Sequence, residues 1–172
     1  MKRISALVTD THVAESLSIV SAFVLPFALG TSQIVTGIVV NTALIIAALR
    51  FGKNIRLAWI IAPSLAALAR GLVFGSATPF LYYFLPVIWF SNWVLVSILS
   101  GEMKIASVRG RMFFAGVSKI VILFGCASVL VTLKIIPSIF LTSMGIMQIL
   151  TLLGGGIVSY FILHLWLPNQ TK

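Results

Sequence analysis

Acidic residues are nearly absent. The 172-residue chain has three, Asp10, Glu15 and Glu102, against twelve lysines and arginines, for a formal charge of +9. None lies deep in an apolar run, so the carboxylates that serve proton relays and ion coupling in membrane transporters are missing. Paired carboxylates for two-metal phosphoryl chemistry are missing too. The two histidines, His12 and His164, have no Cys, Asp or Glu at ligand spacing, so no metal site is expected. Cys126 is alone, which excludes an internal disulfide and suits a small apolar packing residue. Gly154-Gly155-Gly156 lies within an apolar run, where helix packing or an unwound turn explains it better than a phosphate loop. The expected inventory is no catalytic residue and no cofactor, and the chain reads as a non-enzyme.

Charge of either sign is scarce. Charged residues make up 9% of the chain, against about 25% in a soluble domain. Hydrophobic residues make up 60%, and mean hydropathy is +1.15. No soluble core of this length hides so much apolar surface. Alternating segments of a membrane barrel are missing, and long apolar runs point to helices. The expected class is an all-α integral membrane protein, one domain over 1–172. Six transmembrane helices are expected at about 14–29, 33–49, 57–75, 80–100, 112–133 and 139–167.

Basic residues test the topology. With six spans, Lys2, Arg3, Arg50, Lys53, Arg56, Lys104, Arg109, Arg111 and Lys172 fall on one side, and Lys134 alone on the other. The positive-inside rule then places both termini in the cytoplasm. It also accounts for the net charge without nucleic acid. The opening MKRISALVTDTHVAES lacks the basic-apolar-small order of a cleaved signal, so span one is expected to remain as an anchor.

Span two carries the strongest functional signal. At 3.6 residues per turn, Gln33, Thr36, Gly37, Val40, Asn41, Leu44, Ala47 and Ala48 share one side. Ile34, Val35, Ile38, Val39, Ile45, Ile46 and Leu49 make the other. Amides in a membrane are costly unless they face protein, water or a ligand. The polar side is expected to wall an internal site, with Asn92 of span four and Gln148 of span six as further members. Gln148 shares a face with Thr151, Gly155 and Ser159. The bland alternative is interhelical hydrogen bonding alone. Ala67, Gly71 and Gly75 form a small-residue stripe suited to close helix approach.

Two cations fall within spans. Arg70, near the outer end of span three, either snorkels to headgroups or turns inward to pair with an anionic ligand. Lys119, about two turns from the inner end of span five, either snorkels to the cytoplasmic surface or faces inward. Tyr82, Tyr83, Trp89 and Trp93 suit an interfacial belt, or one wall of a pocket for a small ring-containing molecule. With no intramembrane acid to neutralise a cation, any ligand is expected to be neutral or anionic.

Three stretches carry a resemblance. They are Ser32-Gln33-x-x-Thr36-Gly37-x-x-x-Asn41-x-x-Leu44, Ala62-Pro63-Ser64-Leu65-x-Ala67-Leu68-x-x-Gly71-Leu72, and Pro86-x-x-x-x-x-Asn92-x-x-Leu95-Val96. Over roughly 20–160 the chain resembles the substrate-binding S components of energy-coupling-factor transporters. The resemblance implies a six-helix subunit of a prokaryotic plasma membrane that captures a micronutrient from outside. It also implies partners, a membrane coupling protein and two cytoplasmic ATPases. Small residues on the first span of such subunits contact the coupling protein, and the matching positions are Ser18 and Ala22. The chain departs from close members at Thr31, Ser32 and Ile38, so a different ligand is expected. Two readings therefore stand: a binding subunit using Gln33, Thr36, Gly37, Asn41, Arg70, Asn92 and Gln148, or a structural protein or small channel with no captured ligand.

Overall fold

A computed structural model describes residues 20, 22–28, 32–51, 57–71, 74–101 and 107–165. Every regular element among them is helical. A helical segment covers 22–28, followed by α1 (Gln33–Phe51), α2 (Leu57–Arg70), a 3-10 helix (Gly75–Phe80), α3 (Leu81–Leu99), α4 (Val108–Thr132), α5 (Ile139–Met144) and α6 (Ile146–Leu165). Four helical stretches are long and apolar enough to cross a membrane: α1, the 3-10 helix continued by α3, α4, and α5 continued by α6. At 1.5 Å per residue α2 reaches only about 21 Å, short of a bilayer core of about 30 Å. Residues 14–19 of the expected first span lie outside the described residues, as do Ser18, Thr31, Lys53, Arg56, Glu102 and Lys104.

The stops are chemical. Gly71 ends α2 with φ +74°, its N–H donating to the carbonyls of Ala67 and Leu68. This left-handed cap suits glycine. A methyl on Gly71 or Gly75 would meet nothing within 4 Å, so the expected packing stripe is wrong at both positions. After α4, Lys134 takes φ +57°, with Lys134 N–H bonding Val131 O and Ile135 N–H bonding Leu130 O. That is a Schellman stop built on a lysine, and Pro137 follows it. The expected last span is interrupted between α5 and α6 at Gly145. A side chain there would lie 2.8 Å from Leu141 O and 3.1 Å from the ring of Phe124.

Two buried clusters divide the bundle. One holds Leu81, Phe84, Leu85, Leu123, Phe140 and Met144, joining α3 and α4 to α5. The other holds Leu44, Ile45, Ala48, Leu95, Leu99 and Ala115, joining α1, α3 and α4. The outer surface is apolar, with Phe113, Val121, Leu153, Ile157 and Phe161 exposed. Such a surface needs lipid around it. Arg111 Nη1 donates to Leu99 O at 2.9 Å, so this basic residue caps the end of α3.

The closest helix pair is α1 with α6, and glycines make it possible. A Cβ at Gly37 would lie 2.6 Å from Thr151 Cγ2, one at Gly154 2.9 Å from Ile38, and one at Gly155 2.7 Å from Asn41 Cβ. Helix α6 runs unbroken through Gly154-Gly155-Gly156, so there is no unwound turn, and Gly154 and Gly155 serve close packing. Thr42 Oγ1 donates to Gly155 O at 3.4 Å, and Ser159 Oγ to the same carbonyl at 2.6 Å.

Candidate functional site

A cavity of about 100 Å³ opens between α1, α2, α3, α4 and α6, at the end of the bundle where α1 and α6 begin. Its polar lining is Gln33, Thr36, Asn41, Ser64, Asn92, Lys119, Gln148 and Thr151. Val40, Ala67, Phe74, Leu81, Ile88, Leu123 and Met144 supply most of its apolar wall. The sequence brings these together simply. Gln33, Thr36, Gly37, Val40 and Asn41 recur on one side of α1, and Met144, Gln148 and Thr151 advance by one turn across the start of α6.

A chain of hydrogen bonds crosses the cavity. Lys119 Nζ donates to Asn41 Oδ1 at 2.7 Å. Asn41 Nδ2 donates to Thr151 Oγ1 at 3.2 Å, and Thr151 Oγ1 donates to Gln148 O at 3.3 Å. The lysine therefore fixes the Asn41 amide with its oxygen toward α4 and its nitrogen toward α6. Lys119 is only 4% exposed. It does not snorkel, and the reason is the start of α4. That helix begins at Val108, with Ser107 Oγ accepting from Gly110 N–H, rather than at residue 112. Lys119 then lies about three turns inside, not two, and the cavity is nearer than either surface.

Other members are tied more loosely. Gln33 Nε2 donates to Ser143 O at 3.2 Å, and Ser143 Oγ donates to Gln33 Oε1 at 3.1 Å. This reciprocal pair links α1 to α5. Asn92 Nδ2 donates to Ile60 O at 3.3 Å, one residue beyond the Trp59 carbonyl that Pro63 deprives of its helical donor. Trp89 Nε1 donates to Ser64 Oγ at 2.7 Å, so this indole is held toward α2 rather than standing only in a belt. Gln148 Nε2 has Met144 Sδ at 3.9 Å, a weak partner. Two buried polar atoms of the lining, Thr36 Oγ1 and Asn92 Oδ1, have no hydrogen-bond partner among the described residues. Buried groups of this kind call for a water or a ligand.

Of the expected site residues, Gln33, Thr36, Gly37, Asn41, Asn92 and Gln148 line the one cavity. Gly37 contributes through closeness to Thr151 rather than through a polar group. Arg70 does not line it. It is the last residue of α2, half-buried, with its guanidinium 5.7 Å from the Phe27 ring centroid. The stop at Gly71 places it at the helix end, where its stem reaches outward. Ala22 is 1% exposed and packs with Ala47 and Trp59, so it presents no surface to a partner. Ser64 and Ser143 were not singled out by the sequence. Ser64 follows Pro63 and carries that proline's signal, whereas nothing local marks Ser143.

No family model matches the chain, and neither a curated protein nor a solved structure matches it. The site must therefore be read from its own chemistry. Among the described residues no three His, Cys, Asp or Glu side chains gather to hold a metal. The cavity offers amides, hydroxyls and one ammonium over an apolar wall. A set of this kind is chemically able to bind and orient a small molecule.

Proposed function

We propose that this protein is a substrate-binding membrane subunit that captures a small micronutrient, neutral or anionic, in the cavity between α1, α4 and α6. One observation carries the reading: a cavity of about 100 Å³ among apolar helices gathers Gln33, Asn41, Asn92, Lys119 and Gln148 around two polar atoms that have no partner among the described residues. Polar groups in such a setting are costly, and a cavity left among them has the composition of a binding site. Basic residues support an orientation. Arg50, Arg109 and Arg111 lie at the end away from the cavity, which faces the cytoplasm by the positive-inside rule, so the cavity end faces outward. The resemblance to S components supplies the remainder of the proposal: six spans, cytoplasmic termini, a prokaryotic plasma membrane, and release driven by a coupling protein and two ATPases.

The test is a mild-detergent pull-down of the tagged chain from its native host, with mass spectrometry of retained proteins and small molecules. Co-purification of a membrane coupling protein and ATPases is the expected result. A chain that comes down alone and empty in several detergents would remove the transport reading.

A second reading has its own observations. The reciprocal Gln33–Ser143 bonds and the Asn41–Thr151 bond join helices without any ligand. On this reading the protein is structural, and the polar residues act as interhelical glue worth about 0.6–2 kcal/mol per bond. It leaves Thr36 Oγ1 and Asn92 Oδ1 unaccounted for.

A further inference from the structure

Lys119 is the one cation in the cavity lining, and its environment is lopsided. The ammonium has three hydrogens to donate. Among the described residues one goes to Asn41 Oδ1, a neutral acceptor, at 2.7 Å. Among the described residues the lining contains no carboxylate. The chain's three acids, Asp10, Glu15 and Glu102, lie outside the described residues. A buried ammonium facing a cavity without an acid is a site for an anion.

The cavity around it narrows the anion further. Thr36 Oγ1 lines the same space, is buried, and has no protein partner, so its hydroxyl can donate to a second anionic oxygen. Most of the remaining wall is apolar, including Val40, Ile88 and Leu123, with the neutral side chains of Gln33, Ser64, Asn92, Gln148 and Thr151 between them. An apolar cavity of about 150 Å³ accepts benzene, with six heavy atoms, so about 100 Å³ suits an apolar body of about four. Multiply charged anions would face one cation and a neutral wall that cannot balance the remaining charge.

We infer that the ligand is a small monocarboxylate with an apolar body, held by Lys119 and Thr36. The inference rests on the binding reading given above and deepens it. Asn41 is the positioning residue, because its amide, pinned by Thr151, holds the ammonium within the cavity and away from either membrane surface.

The experiment uses the full chain in lipid nanodiscs and two matched pairs of probes: butyrate and butyramide, lactate and lactamide. Each pair differs in charge and hardly in shape. Binding is read as saturable thermal stabilisation and by calorimetry. The expected result is that at least one carboxylate binds about 30-fold or more tightly than its amide. Lys119→Gln is expected to remove that preference, so that carboxylate and amide bind alike. The wild-type comparison stands alone if the variant fails to fold. If amides bind as well as carboxylates or better, the anion assignment is overturned and the binding reading survives. If neither series binds, both are overturned.

Discussion

The two halves of α1 share one helix and one face, yet they are built on opposite terms. From Gln33 to Asn41 the inward side is polar and borders a cavity. From Leu44 to Ala48 it is apolar and closed, with Leu44 and Ala47 fully buried and Ile45 and Ala48 nearly so. Leu95, Leu99 and Ala115 lie opposite Leu44, Ile45 and Ala48, so Ile45, expected on the outer side of the helix, is buried instead against α3 and α4. In lipid the apolar effect gives little reason for helices to associate, so the closed half depends on close van der Waals packing. The polar half borders a cavity, and its Thr36 Oγ1 has no hydrogen-bond partner among the described residues. The closed half therefore carries stability, and the open half is free to carry function.

The largest effect should come from the closed half. Leu44→Ala removes a fully buried side chain and is expected to cost about 3 kcal/mol of stability, read by denaturant unfolding in bicelles, with ligand affinity unchanged. If affinity falls in step with stability, the two halves are not separable. In the open half, Asn41→Leu strips Lys119 of its acceptor and Thr151 of its donor, for about 2 kcal/mol and loss of binding. Adding Lys119→Met should recover most of the stability and none of the binding. Recovery of both would place the ligand elsewhere.

Smaller changes sharpen the contrast. Gly155→Ala drives a methyl to 2.7 Å from Asn41 Cβ and 3.0 Å from Thr42 N, and should cost about 1–2 kcal/mol while disturbing the cavity. Gly156→Ala meets only Met112 Cε at 3.5 Å and should stay within about 0.5 kcal/mol of wild type. Equal melting temperatures for the two variants would contradict the close α1–α6 approach. Smallest of all, Lys134→Gly relieves a left-handed lysine and should stabilise by about 0.5 kcal/mol, remote from the site.

Helical periodicity made much of the site legible. Polar residues within apolar runs have few places to go, so Gln33, Thr36, Asn41, Asn92 and Gln148 could be grouped before any coordinates. The cations were less legible, because their fate depends on where a helix starts or stops. A start at Val108 rather than residue 112 turns Lys119 from a snorkelling residue into a buried one. A stop at Gly71 leaves Arg70 at a helix end, stacked on Phe27. Hydropathy misplaces both boundaries, because Arg109 and Arg111 make the first turn of α4 read as loop while Leu72, Val73 and Phe74 carry the apolar run on past Gly71. Gly71 itself read as a packing residue, because sequence spacing cannot tell a glycine needed for space from one needed for its φ.

The most direct test compares the wild-type chain with Gln33→Leu/Asn41→Leu, both purified from the native host in mild detergent. Each is heat-denatured, and the released small molecules are measured by mass spectrometry alongside the circular dichroism of the intact protein. The account predicts a molecule present in near-equal amount to the wild-type chain and missing from a double variant that is still folded. A double variant that no longer folds, beside a wild type that releases nothing, would contradict it and leave these amides as helix glue.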